Sequence, residues 1–135
     1  MASEAPSGGR RLSRIGILLA IGSAGYLGLL WIGTHLPGNS APQVGHFDKV
    51  MHAGAYFGLA ILVMTTCVQF LRPSLMTIFA VIGILLVLAV GDELLQIPVP
   101  GRNADVLDFF ADMAGIISGV VLVTVVARMM RSDSA

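Results

Sequence analysis

The sequence predicts an all-α membrane protein, a bundle of four transmembrane helices with both termini in the cytoplasm. Three observations carry this. Apolar residues fill 56% of the 135 positions and charged residues only 12%, whereas soluble domains are about half apolar and about a quarter charged. The mean hydropathy is +0.86, which leaves too little polar surface to hold the chain in water. The apolar residues also fall into four runs, and the linkers between them are too short to fold independently, so the chain is one domain. Lipid-exposed backbone must satisfy its own hydrogen bonds in a helix or a closed barrel, and four segments are too few for a barrel.

Each span can be read in turn. Residues 15–33 are 19 positions without a charge, and residues 51–71 are 21 in which only His52 titrates near neutrality. Residues 75–91 add 17 more. That run reaches the roughly 20 residues needed to cross a hydrocarbon core if it continues through Asp92, Glu93 and Gln96 to Ile97. The fourth span, residues 106–127, carries Asp108 and Asp112 in its first two turns. A cleaved signal peptide is the rival reading of the first run, with Asn39-Ser40-Ala41 as a loose cleavage motif. Nineteen residues is long for the apolar region of such a signal, so a retained helix is expected. The single cysteine, Cys67, lies in an apolar run and supports neither a disulfide framework nor a thiol metal site.

Basic residues set the orientation. Arg10, Arg11 and Arg14 precede the first span, Arg72 lies between the second and third, and Arg128 and Arg131 follow the fourth, while only Lys49 and Arg102 lie on the other side. The positive-inside rule therefore makes residues 1–14 and 128–135 cytoplasmic tails. Acids sharpen the asymmetry. Glu4 and Asp133 join six arginines inside for a net +4, while Asp48, Asp92, Glu93, Asp105, Asp108 and Asp112 join two cations outside for a net −4. Six carboxylates at a low-dielectric boundary require protonation, pairing with Lys49 or Arg102, or a bound cation.

The outward polar residues share helix faces. With helix two starting near Asp48, Asp48, His52 and Tyr56 follow i, i+4, i+8 spacing on one face. Taken singly, Asp48 reads as an N-cap, Lys49 as a snorkelling anchor and Tyr56 as part of an aromatic belt; His52, one turn inside, needs partners. Asp92, Glu93 and Gln96 crowd the C-terminal end of helix three, where the helix dipole disfavours carboxylates by up to about 1 kcal/mol each. They need compensation from elsewhere in the fold. Pro100-Gly101 suits a type II turn that presents Arg102, either as an interfacial anchor or as a fork for carboxylate or phosphate. Asp105, Asp108, Asp112, Gly115 and Gly119 form one seam along helix four, and its glycines point the acids into the bundle. Asp105 also reads as an N-cap and Asp108 as a first-turn acid. Gly54 and Gly58 read as a second packing pair.

Three motifs in order, Asp48-Lys49-x-x-His52-x-x-x-Tyr56, Asp92-Glu93-x-x-Gln96 and Pro100-Gly101-Arg102-x-x-Asp105-x-x-Asp108, close with Asp112-x-x-Gly115. Over residues 46–120 the chain resembles the VanZ-like family of bacterial integral membrane proteins. The resemblance implies a fold, a site and an association with glycopeptide resistance, notably to teicoplanin. That family commonly has asparagine where this chain has Asp112, so an ionisable group is added here.

The expected function is an outward-facing polar pocket in the inner membrane of the cell envelope. Its expected ligand is a lipid headgroup or a lipid-linked glycan precursor. In a catalytic version His52, Glu93 or Asp112 shifts a proton, while Lys49 and Arg102 hold an anionic group and Asp48, Tyr56, Asp92, Gln96, Asp105 and Asp108 complete the binding surface. A divalent cation would offset the −4 imbalance and hold phosphate between carboxylates; zinc is less suited, since one motif histidine does not make an H-E-x-x-H site. The alternatives are a structural protein in which the cluster is a buried ion-pair network, and a small-solute or proton permease. No aromatic-basic platform for nucleic acid is present.

Overall fold

The computed structural model describes residues 14–36, 45–102 and 104–132. Four helices follow in order: α1 (Arg14–His35), α2 (Gly45–Phe70), α3 (Leu75–Gln96) and α4 (Val106–Ser132). Each is long and apolar enough to cross a membrane, and no strand occurs among the described residues. At 1.5 Å per residue α1 and α3 span about 33 Å, and α2 and α4 about 40 Å. The first 13 residues, the loose cleavage motif at 39–41 and the last three residues lie outside the described residues.

Helix boundaries follow local chemistry. Pro73 disfavours helix at Arg72, and α2 stops at Phe70. Ser74, in an extended conformation, then caps α3 by accepting from the Thr77 N–H at 3.1 Å. The α3–α4 link turns at Val99–Pro100–Gly101–Arg102, where the Arg102 N–H donates to Val99 O at 3.0 Å and Gly101 has φ 78°. This is the expected type II turn, whose third position demands positive φ and hence glycine. Two ends differ from expectation. α2 starts at Gly45, so Asp48 is a first-turn acid favoured by the helix dipole and not the cap. α4 runs past Ala127 to Ser132, because Arg128, Met129, Met130 and Arg131 are good helix formers with cations at the favourable end.

α2 and α4 run in the same direction and form the closest pair. A Cβ built on Gly115 would lie 2.9 Å from Phe57 N and closer still to Ala53 O, and one on Gly119 would lie 2.8 Å from both Ala60 Cβ and Phe57 O. Backbone therefore meets backbone, as small residues allow in membranes. The second glycine pair is a correction. Gly54 faces open space, and only Gly58 makes a close approach, to the Tyr26 hydroxyl. The α2 face toward α4 runs instead through Ala53, Phe57 and Ala60. α1 lies against α2 through Gly16 on Phe70, the Ser23 and Thr66 hydroxyls at 3.2 Å, and the Tyr26 hydroxyl donating to Ala55 O at 3.1 Å. The dry core joins Leu59, Met64, Leu85, Ile116 and Val120. Large apolar side chains such as Leu18, Met76, Phe79 and Val87 point outward, which suits hydrocarbon and not water.

Candidate functional site

Polar residues concentrate where α1 and α3 end and α2 and α4 begin. Asp105 precedes α4 and accepts from the Leu107 N–H through Oδ1 at 2.8 Å, satisfying one orphan donor of the helix start. Its Oδ2 pairs with Lys49 Nζ at 2.7 Å, and the same ammonium reaches Asp108 Oδ1 at 2.9 Å. Lys49 thereby ties α2 to the first turn of α4. Lys49 and the Leu107 N–H both hold the Asp105 carboxyl below the usual carboxylate range.

One turn deeper, His52 on α2 meets Asp112 on α4, with Nδ1 to Oδ1 at 3.1 Å. Nδ1 donates when Asp112 is ionised, which fixes the tautomer and leaves Nε2 as the basic nitrogen. Glu93 of α3 completes the group, its Oε1 3.9 Å from His52 Nδ1. Its other oxygen accepts from the Asp105 N–H at 3.0 Å, so the start of α4 orients a carboxylate at the end of α3. His52, Glu93 and Asp112 are 8%, 7% and 0% exposed, yet Glu93 Oε1 and Asp112 Oδ2 are buried with no hydrogen-bond partner. An unmet buried acceptor costs about 1–3 kcal/mol, more when charged.

Asp92 faces the other side of α3. Its Oδ1 accepts from the Thr34 hydroxyl at 2.8 Å and its Oδ2 from Gln96 Nε2 at 3.2 Å. These bonds are the compensation that a carboxylate at a helix C-terminus requires. His35 lies beside them, its Nδ1 3.8 Å from Asp92 Oδ1 and 2.8 Å from Trp31 O, its ring stacked on Trp31, and its Nε2 unpartnered. Sequence reasoning missed Thr34 and His35, because the first apolar run was closed at residue 33 and carries no motif. The available signal was that the 19-residue run at 15–33 is three residues shorter than the 22-residue α3, and Arg14, Thr34 and His35 make up the difference.

Arg102 does not join the carboxylates. Its Nη2 donates to Gly33 O at 3.1 Å and its Nε to Leu36 O at 3.5 Å, so it caps the negative end of α1. Tyr56 is 3% exposed and belongs to the core, which overturns its aromatic-belt reading: the α2 face it shares with His52 turns inward. Asp48 is exposed at the start of α2. Two sets of ligand atoms lie close enough to hold a metal ion, each set within 4.8 Å of one another: Asp48, His52 and Asp108, and His52, Glu93 and Asp112.

A family model described as VanZ/LLP1 matches residues 15–127. The chain belongs to the VanZ/LLP1 family. This VanZ/LLP1 match takes in α1, which the motif-based resemblance over residues 46–120 left out, and α1 is the helix that brings Thr34 to Asp92. With its four spanning helices, this VanZ/LLP1 chain is a multi-pass membrane protein. No curated protein and no solved structure matches it.

Proposed function

We propose that the chain lies in the inner membrane of the bacterial envelope with both termini cytoplasmic, and that its polar end, facing outward, binds or modifies a phosphate-bearing headgroup. The ligand is a membrane lipid or a lipid-linked glycan precursor, a class that fits the resemblance to proteins associated with glycopeptide resistance. The observation that carries this is the pair of unpartnered, buried oxygens, Glu93 Oε1 and Asp112 Oδ2, beside His52. A finished structural network satisfies its members. This one leaves acceptors for donors that are not part of the protein, while Lys49 and Arg102 supply positive charge at the same end for an anion. The hydroxyls and amines of a headgroup are such donors, and a His52 Nε2 freed by the Asp112 bond is the natural base if chemistry follows.

A specific observation also favours the structural alternative: Lys49, Gln96, Thr34 and the Asp105 N–H all staple one helix to another or brace a helix end. A permease reading lacks such support, because the hydroxyls of Thr66 and Thr124 in the opposite half are turned onto carbonyls of their own helices. Native mass spectrometry of detergent-purified protein separates the two remaining readings. Wild type retains a phosphate-bearing lipid that Glu93→Gln, still helical and monodisperse, releases. Retention of the same lipid by both proteins, or of none by wild type, would leave only the structural reading.

A further inference from the structure

We propose that His52, Glu93 and Asp112 form a binding site for one divalent first-row cation, Mn2+ or Zn2+. The three side chains come from α2, α3 and α4, and their ligand atoms lie within 4.8 Å of one another. An ion with bonds of about 2.0–2.2 Å places its ligands about 3–4 Å apart. His52 Nδ1 already stands 3.1 Å from Asp112 Oδ1 and 3.9 Å from Glu93 Oε1, so little movement is needed. The ion replaces the Nδ1 proton, coordination takes the place of the Asp112 hydrogen bond, and the remaining ring proton sits on Nε2.

Three independent features point to a cation. The first is orphaned acceptors: Glu93 Oε1 and Asp112 Oδ2 are buried without partners, on side chains 9% and 0% exposed. The second is charge. Two buried carboxylates need neutralisation, and neither Lys49, paired with Asp105 and Asp108, nor Arg102, bonded to the end of α1, hydrogen-bonds to Glu93 or Asp112. The third is orientation from a second layer. The Asp105 N–H holds the other Glu93 oxygen at 3.0 Å, the kind of outer contact that aims metal ligands.

The donor set selects the ion. One imidazole with two carboxylates suits Mn2+ or Zn2+, whereas Mg2+ and Ca2+ prefer oxygen-only shells. The neighbouring set, Asp48, His52 and Asp108, is the poorer site, because Asp48 is exposed and Asp108 Oδ1 already receives the Lys49 ammonium. The proposal rests on reading this end as a ligand pocket, and it supplies a cation that can bridge the carboxylates to a phosphate.

Protein purified in detergent, stripped with EDTA and passed over a sizing column is titrated with Mn2+ alone and with Zn2+ alone, with Mg2+ and Ca2+ for comparison. The expected result is one Mn2+ or Zn2+ per chain, bound at least about tenfold tighter than the hard ions. Glu93→Gln and Asp112→Asn weaken binding by about tenfold or more, and Asp48→Asn leaves it unchanged. The echo-modulation spectrum of bound Mn2+ shows one imidazole nitrogen, a wild-type readout that stands even if a variant fails to fold. No saturable binding, equal binding of the hard ions, no nitrogen coupling, or loss in Asp48→Asn with retention in Glu93→Gln overturns the proposal. Lipid retention is measured in parallel with and without EDTA. Lipid without metal sinks the cation site alone; metal without lipid sinks the headgroup reading alone.

Discussion

The two halves of this bundle handle polar groups in opposite ways. In the half that holds the α2–α3 link, hydroxyls turn mostly onto their own helix or cap: Thr124 to Val120 O at 2.7 Å, Thr66 to Leu62 O at 2.8 Å, Ser74 to the Thr77 N–H. The side-chain bonds across helices there, among the described residues, are the Ser23–Thr66 contact at 3.2 Å and Arg131 to Val68 O at 3.4 Å, and neither involves a carboxylate. In the other half, side chains reach across helices, Lys49 to Asp105 and Asp108, His52 to Asp112, Thr34 to Asp92, and still leave Glu93 Oε1, Asp112 Oδ2 and His35 Nε2 unmet. Local bonds let a polar residue exist in an apolar helix and ask nothing of its neighbours. Bonds between helices fix relative position, and the unmet acceptors among them are the observation on which the proposed ligand pocket rests. The contrast separates architecture from site without reference to any known relative.

Mutations can break or sharpen that contrast. The largest effect is expected at Asp112→Ala, which strips His52 of its partner inside the bundle and destabilises by about 3 kcal/mol; thermal unfolding in detergent measures it. Gly115→Ala comes next, because the new Cβ meets backbone atoms of Ala53 and Phe57 that cannot yield locally. A loss of about 1–3 kcal/mol is expected in the same assay. Thr34→Val removes one bond between α1 and α3 and costs about 0.6 kcal/mol, whereas Thr124→Val, which removes a bond within one helix, changes the midpoint by less than Thr34→Val does.

The smallest predicted effect is the pH dependence of Asp105. Its folded value is held down by Lys49 and the Leu107 N–H, so the folded state binds its proton more weakly than the unfolded chain. The stabilisation is therefore complete above the unfolded value of about 3.9 and is lost as the pH falls through the lower, folded value. Midpoints measured from about pH 6 down to pH 3 should show a shallow acid-side loss that Asp105→Asn reduces.

Much of the fold was legible in the sequence. Apolar run length gave four spans, Pro100-Gly101 gave the type II turn, and the spacing from Asp112 through Gly115 to Gly119 gave the face of α4 that enters the bundle. The rest depended on which neighbour each face meets, which periodicity in one helix does not contain. Gly54 and Gly58 have the spacing of a packing pair, but Ala53, Phe57 and Ala60 line the contact with α4. Tyr56 stands about three turns in from the start of α2 at Gly45, and whether such a ring faces lipid or core depends on rotation of the whole helix. Arg102 beside six acids suggested pairing with a carboxylate. Its actual partners are carbonyls at the end of α1, a helix whose contribution to this end was hidden by uniformly apolar composition and a boundary drawn at Gly33, before Thr34 and His35.

The central claim is that the acids and histidine at the polar end are kept for a ligand and not for stability. Replacing His52 with Leu, Glu93 with Met and Asp112 with Val together tests it most directly, since exchanging a buried ionic group for well-packed apolar residues is often neutral or stabilising. Native mass spectrometry and thermal unfolding are run on the same preparation. The triple variant is expected to unfold at or above the wild-type midpoint and to retain no phosphate-bearing lipid. A folded variant that keeps the lipid of the wild type would contradict the claim.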